Sequence, residues 1–81
     1  MTIFFLHIVD RGRSVSDDHG IELADLDAAR AEAVRVISEL LDSGAWTRAR
    51  HSANYIDITD EHGRVLDTVA VWEVILRSPK G

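Results

Sequence analysis

Apolar and polar positions divide the 81-residue chain into one stretch with a helical period and flanking stretches that alternate. The helical stretch runs from Leu26 to Leu41, LDAARAEAVRVISELL. At about 100° per residue, Leu26, Ala29, Ala33, Val34, Val36, Ile37, Leu40 and Leu41 fall within a stripe roughly 160° wide. Glu32, Arg35, Ser38, Glu39 and Asp42 occupy the opposite side. Arg30 lies at the stripe's edge, where a long side chain can carry its charge out to water. Asp25 is placed to cap the first-turn N–H groups, Asp27 puts negative charge at the positive end of the helix dipole, and Gly44 suits a left-handed stop. A helix that is apolar on one side must lie on something, and the alternating stretches supply a sheet.

Thr2 to Val9 is rich in aromatic and branched residues and reads as a strand. Phe4, Leu6 and Ile8 point one way; Ile3, Phe5, His7 and Val9 point the other. Both sides are apolar, the mark of a central strand covered on both faces. Asp10-Arg11-Gly12 reads as a turn, Arg13 to Ser16 as a short return strand anchored by Val15, and Asp17 to Gly20 as a second turn. Ile21 and Leu23 alternate around Glu22 in a third short strand or an extended lead-in to the helix. Ala45 to Ala53 is an irregular connection from which Trp46 is expected to fold back over a core edge. Asn54 to Thr59 alternates again, with Ile56 and Ile58 opposed to Tyr55, Asp57 and Thr59. Asp60 to Gly63 is a turn. Arg64 to Leu76 returns as a long, nearly continuous apolar run that bends or bulges near Val69–Ala70, or turns helical near its end.

This order predicts one α+β domain over residues 1–77 with a frayed tail at 78–81. Its architecture is two layers, ββ(β)αββ, in which antiparallel hairpins form one sheet and a single helix packs on one face. The expected core sets Leu26, Ala29, Ala33, Ile37 and Leu40 against Phe4, Leu6, Ile8, Ile56 and Ile58, or against their opposite-face neighbours. One helix covers only one face. Phe5, His7, Val9, Val71 and Ile75 are therefore expected on the open face as an interface, and the simplest partner for such a patch is a second copy of the chain.

Charge and composition narrow the function. The net charge is −5 and the only local basic cluster is Arg48, Arg50 and His51, read as a solvated loop. No nucleic-acid partner is expected of so acidic a chain. The chain has no cysteine, which fits a reducing cytoplasm. The N-terminal apolar run is too short for a membrane span and lacks a basic leader, so no membrane association is expected.

Ser16 to Leu23, SDDHGIEL, is echoed by Thr59 to Leu66, TDEHGRVL. The plain reading is two turns built on the same chemistry, with Asp opening and Gly closing each one. A metal site is the alternative, because Asp and His are ligands. Tracing the chain directions puts the first turn at the bottom of the sheet and the second at the top, which disfavours a shared ion. No metal and no cofactor are expected. His7 reads as a packed histidine. Pairing it with Asp57 as acid and base rests on residue type alone, and no phosphate loop or nucleophile motif accompanies it, so no catalytic residue is assigned.

The segments FFLHIVD (Phe4–Asp10), DDHGIEL (Asp17–Leu23), ADLDAARAEAVR (Ala24–Arg35) and DITDEHGRVL (Asp57–Leu66) together resemble a family of small bacterial proteins, common in rhizobia, carried as a domain of unknown function. The resemblance covers most of the chain outside Gly44–Ala53 and the tail. It implies no activity, cofactor or catalytic residue. Ala24 stands where that family usually has Pro before the helix, and the last strand ends more apolar than its pattern. A weaker resemblance is to HicB-like antitoxins, which would make the chain a regulator that neutralises a basic partner. The chain has no recognisable DNA-binding tail of that kind.

Overall fold

The computed structural model describes residues 1–46 and 54–77. In chain order the elements are β1 (Thr2–Asp10), β2 (Arg13–Val15), β3 (Ile21–Leu23), α1 (Leu26–Asp42), β4 (Tyr55–Thr59), β5 (Val65–Ala70) and α2 (Val71–Arg77). The five strands form one antiparallel sheet of order β2-β1-β4-β5, with β3 also paired to β1. One long helix and one short helix complete an α+β fold.

α1 starts and stops where the sequence says it should. The Asp25 carboxylate accepts from the Ala28 N–H at 2.9 Å, which satisfies a first-turn donor. Past the C-cap Ser43, Gly44 takes φ +83°, the left-handed conformation that a side chain resists. Ala29, Ala33, Ile37 and Leu41 are the buried positions of its inner side. Leu40, expected in the core, is only half-buried and Leu41 takes the inner place. Below the helix lie Phe4, Ile56, Ile58 and Val69. The register pairs Leu6 with Ile58 and Ile8 with Ile56, so these side chains share the covered face. Trp46 closes the edge as expected: it is buried, and its N–H donates to the Leu40 carbonyl at 3.0 Å.

Of the readings left open for the run after Ala70, the helical one holds, and two other expectations need correction. Val71 and Val74 are buried and Ile75 packs on the core, an i, i+3, i+4 pattern that fits α2. The Glu73 carboxylate accepts from the Ala70 N–H at 3.0 Å where the strand gives way to the helix. Val15 anchors nothing, being 62% exposed. Arg30 does not carry its charge into water; its guanidinium donates to Asp67 on β5 at 2.5 Å and lies 3.9 Å from Glu73 on α2. It thereby ties α1 to both later elements. The Asp67 bond is also what holds this arginine's pKa above its usual value and the Asp67 carboxyl below its own.

The expected tail at 78–81 and most of the 45–53 connection, including Arg48, Arg50 and His51, lie outside the described residues.

Candidate functional site

The register decides which side chains look away from α1. They are Ile3, Phe5, His7 and Val9 on β1, Ser14 on β2, Glu22 on β3, Tyr55, Asp57 and Thr59 on β4, and Thr68, Ala70 and, past a bulge, Val65 on β5. Of the five expected interface residues, Phe5, His7 and Val9 belong to this face. Val71 and Ile75 do not. They sit on α2 and pack against the core, because the chain leaves the sheet at Ala70.

The face is less apolar and less open than expected. Its centre is polar: Asp57 lies between His7 on one side and Thr68 on the other. The Thr68 hydroxyl donates to Asp57 Oδ1 at 2.8 Å, and His7 Nε2 lies 3.0 Å from Thr59 Oγ1. His7 and Asp57 thus spend their hydrogen bonds on other partners, not on each other as an acid–base pair would.

Residues 16–20, between β2 and β3, fold onto the same face. The Asp17 N–H donates to His7 Nδ1 at 3.1 Å. One Asp17 carboxylate oxygen accepts from the His19 and Gly20 N–H groups at 3.0 and 3.1 Å, and the other from the Leu6 N–H at 3.2 Å. β2, this loop and β3 therefore follow β1 along one edge, and Asp17 fills a gap in the ladder where a backbone carbonyl would sit. Gly20, at φ +72°, rests against Ile3 and Phe5. Phe5 in turn stacks on His7, with ring centroids 6.4 Å apart and planes within 8°. This contact explains why Phe5 and His7 are half-buried. Burial alone would raise the Asp17 pKa, but the three backbone donors and the nearby His7 lower it overall.

The second turn of the echo repeats the local chemistry. Asp60 Oδ1 accepts from the His62 and Arg64 N–H groups at 2.8 and 2.9 Å, and Gly63 has φ +83°. The Arg64 N–H bond is the main reason the Asp60 carboxyl sits below its usual range. The expected placement of the two turns at opposite ends fails, because β4 runs antiparallel to β1. Thr59 pairs with Phe5, so the second turn lies toward the N-terminal end of β1, and His7 touches Thr59 with one nitrogen and Asp17 with the other. Even so, among the described residues no group of three or more His, Cys, Asp or Glu is placed to hold a metal ion.

The sheet edges offer little. β2 and β3 have three residues each. On β5, the Thr68 N–H is taken by Asp67 Oδ1 and the Ala70 N–H by Glu73, so two donors that would template another strand are occupied. Other exposed apolar groups are Val65 and Leu66 at the start of β5, and Trp72 and Leu76 one turn apart on α2, 55% and 75% exposed.

Residues 3–72 match the family model of a domain of unknown function, DUF6894. The chain belongs to that family. Neither a curated protein nor a solved structure matches it. The DUF6894 match ends at Trp72 and so takes in both echoed turns, α1 and every strand, but only the first two residues of α2. No helix among the described residues is long and apolar enough to cross a membrane.

Proposed function

We propose that this DUF6894 domain is a non-catalytic protein-binding module whose contact surface is the sheet face opposite α1. The observation that carries the reading is the make-up of that face. Aromatic and apolar side chains, Ile3, Phe5, Val9 and Tyr55, surround Asp57, with Glu22 at the rim, and no strand position on it is Lys or Arg. Such a face complements a partner that presents basic and apolar groups. A second copy, the simplest partner on sequence grounds, fits less well. It would bring the Glu22 and Asp57 carboxylates of two copies together with no cation between them, on chains that each carry a net charge of −5. The reading agrees with a regulator that neutralises a basic protein.

The test has two arms. Sedimentation velocity up to about millimolar concentration, the range in which weak interfaces populate, is expected to give a monomer. A stable dimer would replace the basic partner with a second copy. Affinity capture from a lysate of its own cells is then run with the wild type and with Asp57→Lys. The expected result is a basic protein retained at low salt by the wild type, released by added salt and lost with the variant. A partner held equally by both proteins would remove this face as the contact surface.

A further inference from the structure

The loop that covers part of the open face is fastened by a bond that one protonation state of His7 cannot make. A backbone N–H always donates, so His7 Nδ1, 3.1 Å from the Asp17 nitrogen, must present its lone pair. The folded loop therefore requires neutral His7 with its proton on Nε2, and that N–H donates to Thr59 Oγ1. A proton added to Nδ1 would set two donors face to face. We infer that His7 is a proton-sensitive latch: protonation of its ring releases residues 16–20 from β1 and uncovers Ile3 and Phe5.

The ring is faced from every element packed against it. From the loop, the Asp17 carboxylate attracts a positive charge on His7. From β4, Asp57 lies directly across the ladder, and Thr59 offers a neutral hydroxyl. Phe5 stacks on the ring from within β1. Asp18 and His19 of the loop are exposed to solvent. From β2, Ser14 brings no charge to this face, and Arg13 pairs with Asp10 on the α1 side. A proton on Nδ1 breaks the amide bond, because both atoms would then be donors. Either the loop moves or the ring turns away from it, and both end the contact.

The molecule carries its own control. The turn at Asp60 has the same Asp, acid, His, Gly order and the same bond from the His N–H to the first Asp, and the bonds that close it come from Asp60 and backbone carbonyls. Nitrogen-15 NMR of the wild-type chain from about pH 8 to about pH 5, the span in which histidines titrate, reads both turns at once. At the upper end the His7 ring is expected as the Nε2–H tautomer. As His7 titrates, the protection factors of the Asp17 and Gly20 amides are expected to fall about tenfold or more, while those of His62 and Arg64 hold. His7→Asn keeps an acceptor near the Nδ1 position but cannot take up a proton in this range. Its loop is expected to stay fastened throughout this range. Unchanged protection at Asp17 through the His7 titration would overturn the latch. So would parallel loosening of the Asp60 turn, or the same pH dependence in His7→Asn. None of these readouts needs a partner, so the latch and the proposed binding surface stand or fall separately.

Discussion

The turns at 16–23 and 59–66 are nearly the same sentence used in two places. In each, the first Asp accepts from the N–H of the His two residues on, and the Gly adopts a left-handed conformation. The difference is what lies beneath. A Cβ on Gly63 would meet nothing within 4 Å; on Gly20 it would stand 2.8 Å from Ile3 Cγ2 and 3.0 Å from the Phe5 ring. The second turn joins β4 to β5 and closes on itself. The first is pressed onto a sheet face and supplies the acceptor for a β1 amide. Local sequence chose the turn in both cases, and the neighbouring strand decided whether it became part of the packing.

Replacing the glycines tests this most severely. Gly63→Ala is expected to cost only the left-handed backbone penalty, about 1–2 kcal/mol. Gly20→Ala meets the same penalty plus the overlap with Ile3 and Phe5, which adds about 1–3 kcal/mol. Urea denaturation midpoints, converted with the measured slopes, compare them directly. Equal losses would mean that the first turn is no more embedded than the second.

The aspartates give the next largest contrast. Asp17→Ala leaves the Leu6 N–H without its partner in a half-buried part of the sheet edge, a loss of about 1–3 kcal/mol. Its signature is faster exchange at Leu6, outside the turn. Asp60→Ala is expected to have the smaller effect, confined to residues 62–64, because both of its acceptor bonds are exposed. A change in strand amides after Asp60→Ala would erase the distinction.

How far such roles could be read from the chain depends on the element. α1, its Asp25 cap and its Gly44 stop were legible because each rests on residues within a turn of one another. Alternation grouped Ile56 with Ile58 and Phe4 with Leu6 and Ile8, but only the strand register puts the two groups together beneath α1. The end of β5 was not legible. Val69 to Leu76 is apolar with both periods present, and α2 became distinct only through Val71, Val74 and Ile75 facing the core and Glu73 reaching back to Ala70. The place of His7 on the open face was also legible, but its latch was not. Its partner is a backbone amide ten residues on, and any residue at position 17 would carry that N–H. The supposed opposition of the two turns failed for a related reason: directions were inferred along the chain, while β3 continues downward along β1 in line with β2 and reverses every later element.

Acid should act on both turns, and the sign follows from the lowered carboxyl pKa values. Asp17 and Asp60 each have a folded-state pKa below the ordinary value of 3.8. A depressed carboxyl contributes stability that is present above its unfolded pKa and lost as pH falls through the folded one. The loss therefore begins below about pH 4 and deepens as pH drops further. Monitored by amide exchange, Leu6 is expected to weaken with Asp17 in this range, and His62 and Arg64 with Asp60. Protonation of His7 would release the first turn alone, so two separate steps are expected at Asp17 and one at Asp60. A single step at both turns would mean that the histidine adds nothing.

The smallest effect is expected at the second acid of each echo. Asp18 and Glu61 are exposed, and the turn-closing bonds run to Asp17 and Asp60 instead. Glu61 has only a long contact with His62, 3.8 Å, between two exposed side chains. Asp18→Asn and Glu61→Gln should therefore each shift stability by no more than about 0.5 kcal/mol. The same exposure bears on the metal alternative raised by the repeated Asp, acid, His, Gly order. Because the first Asp of each turn already accepts two or more backbone N–H groups, a cation would have to displace those bonds to recruit it, leaving only a solvent-facing acid and His in each turn as ready ligands. Addition of zinc or calcium ions is expected to leave the His19 and His62 resonances in place in the wild type and in both variants. Shifts at both histidines that vanish with Asp18→Asn or Glu61→Gln would show that the echo is a ligand set and not a repeated way of turning the chain.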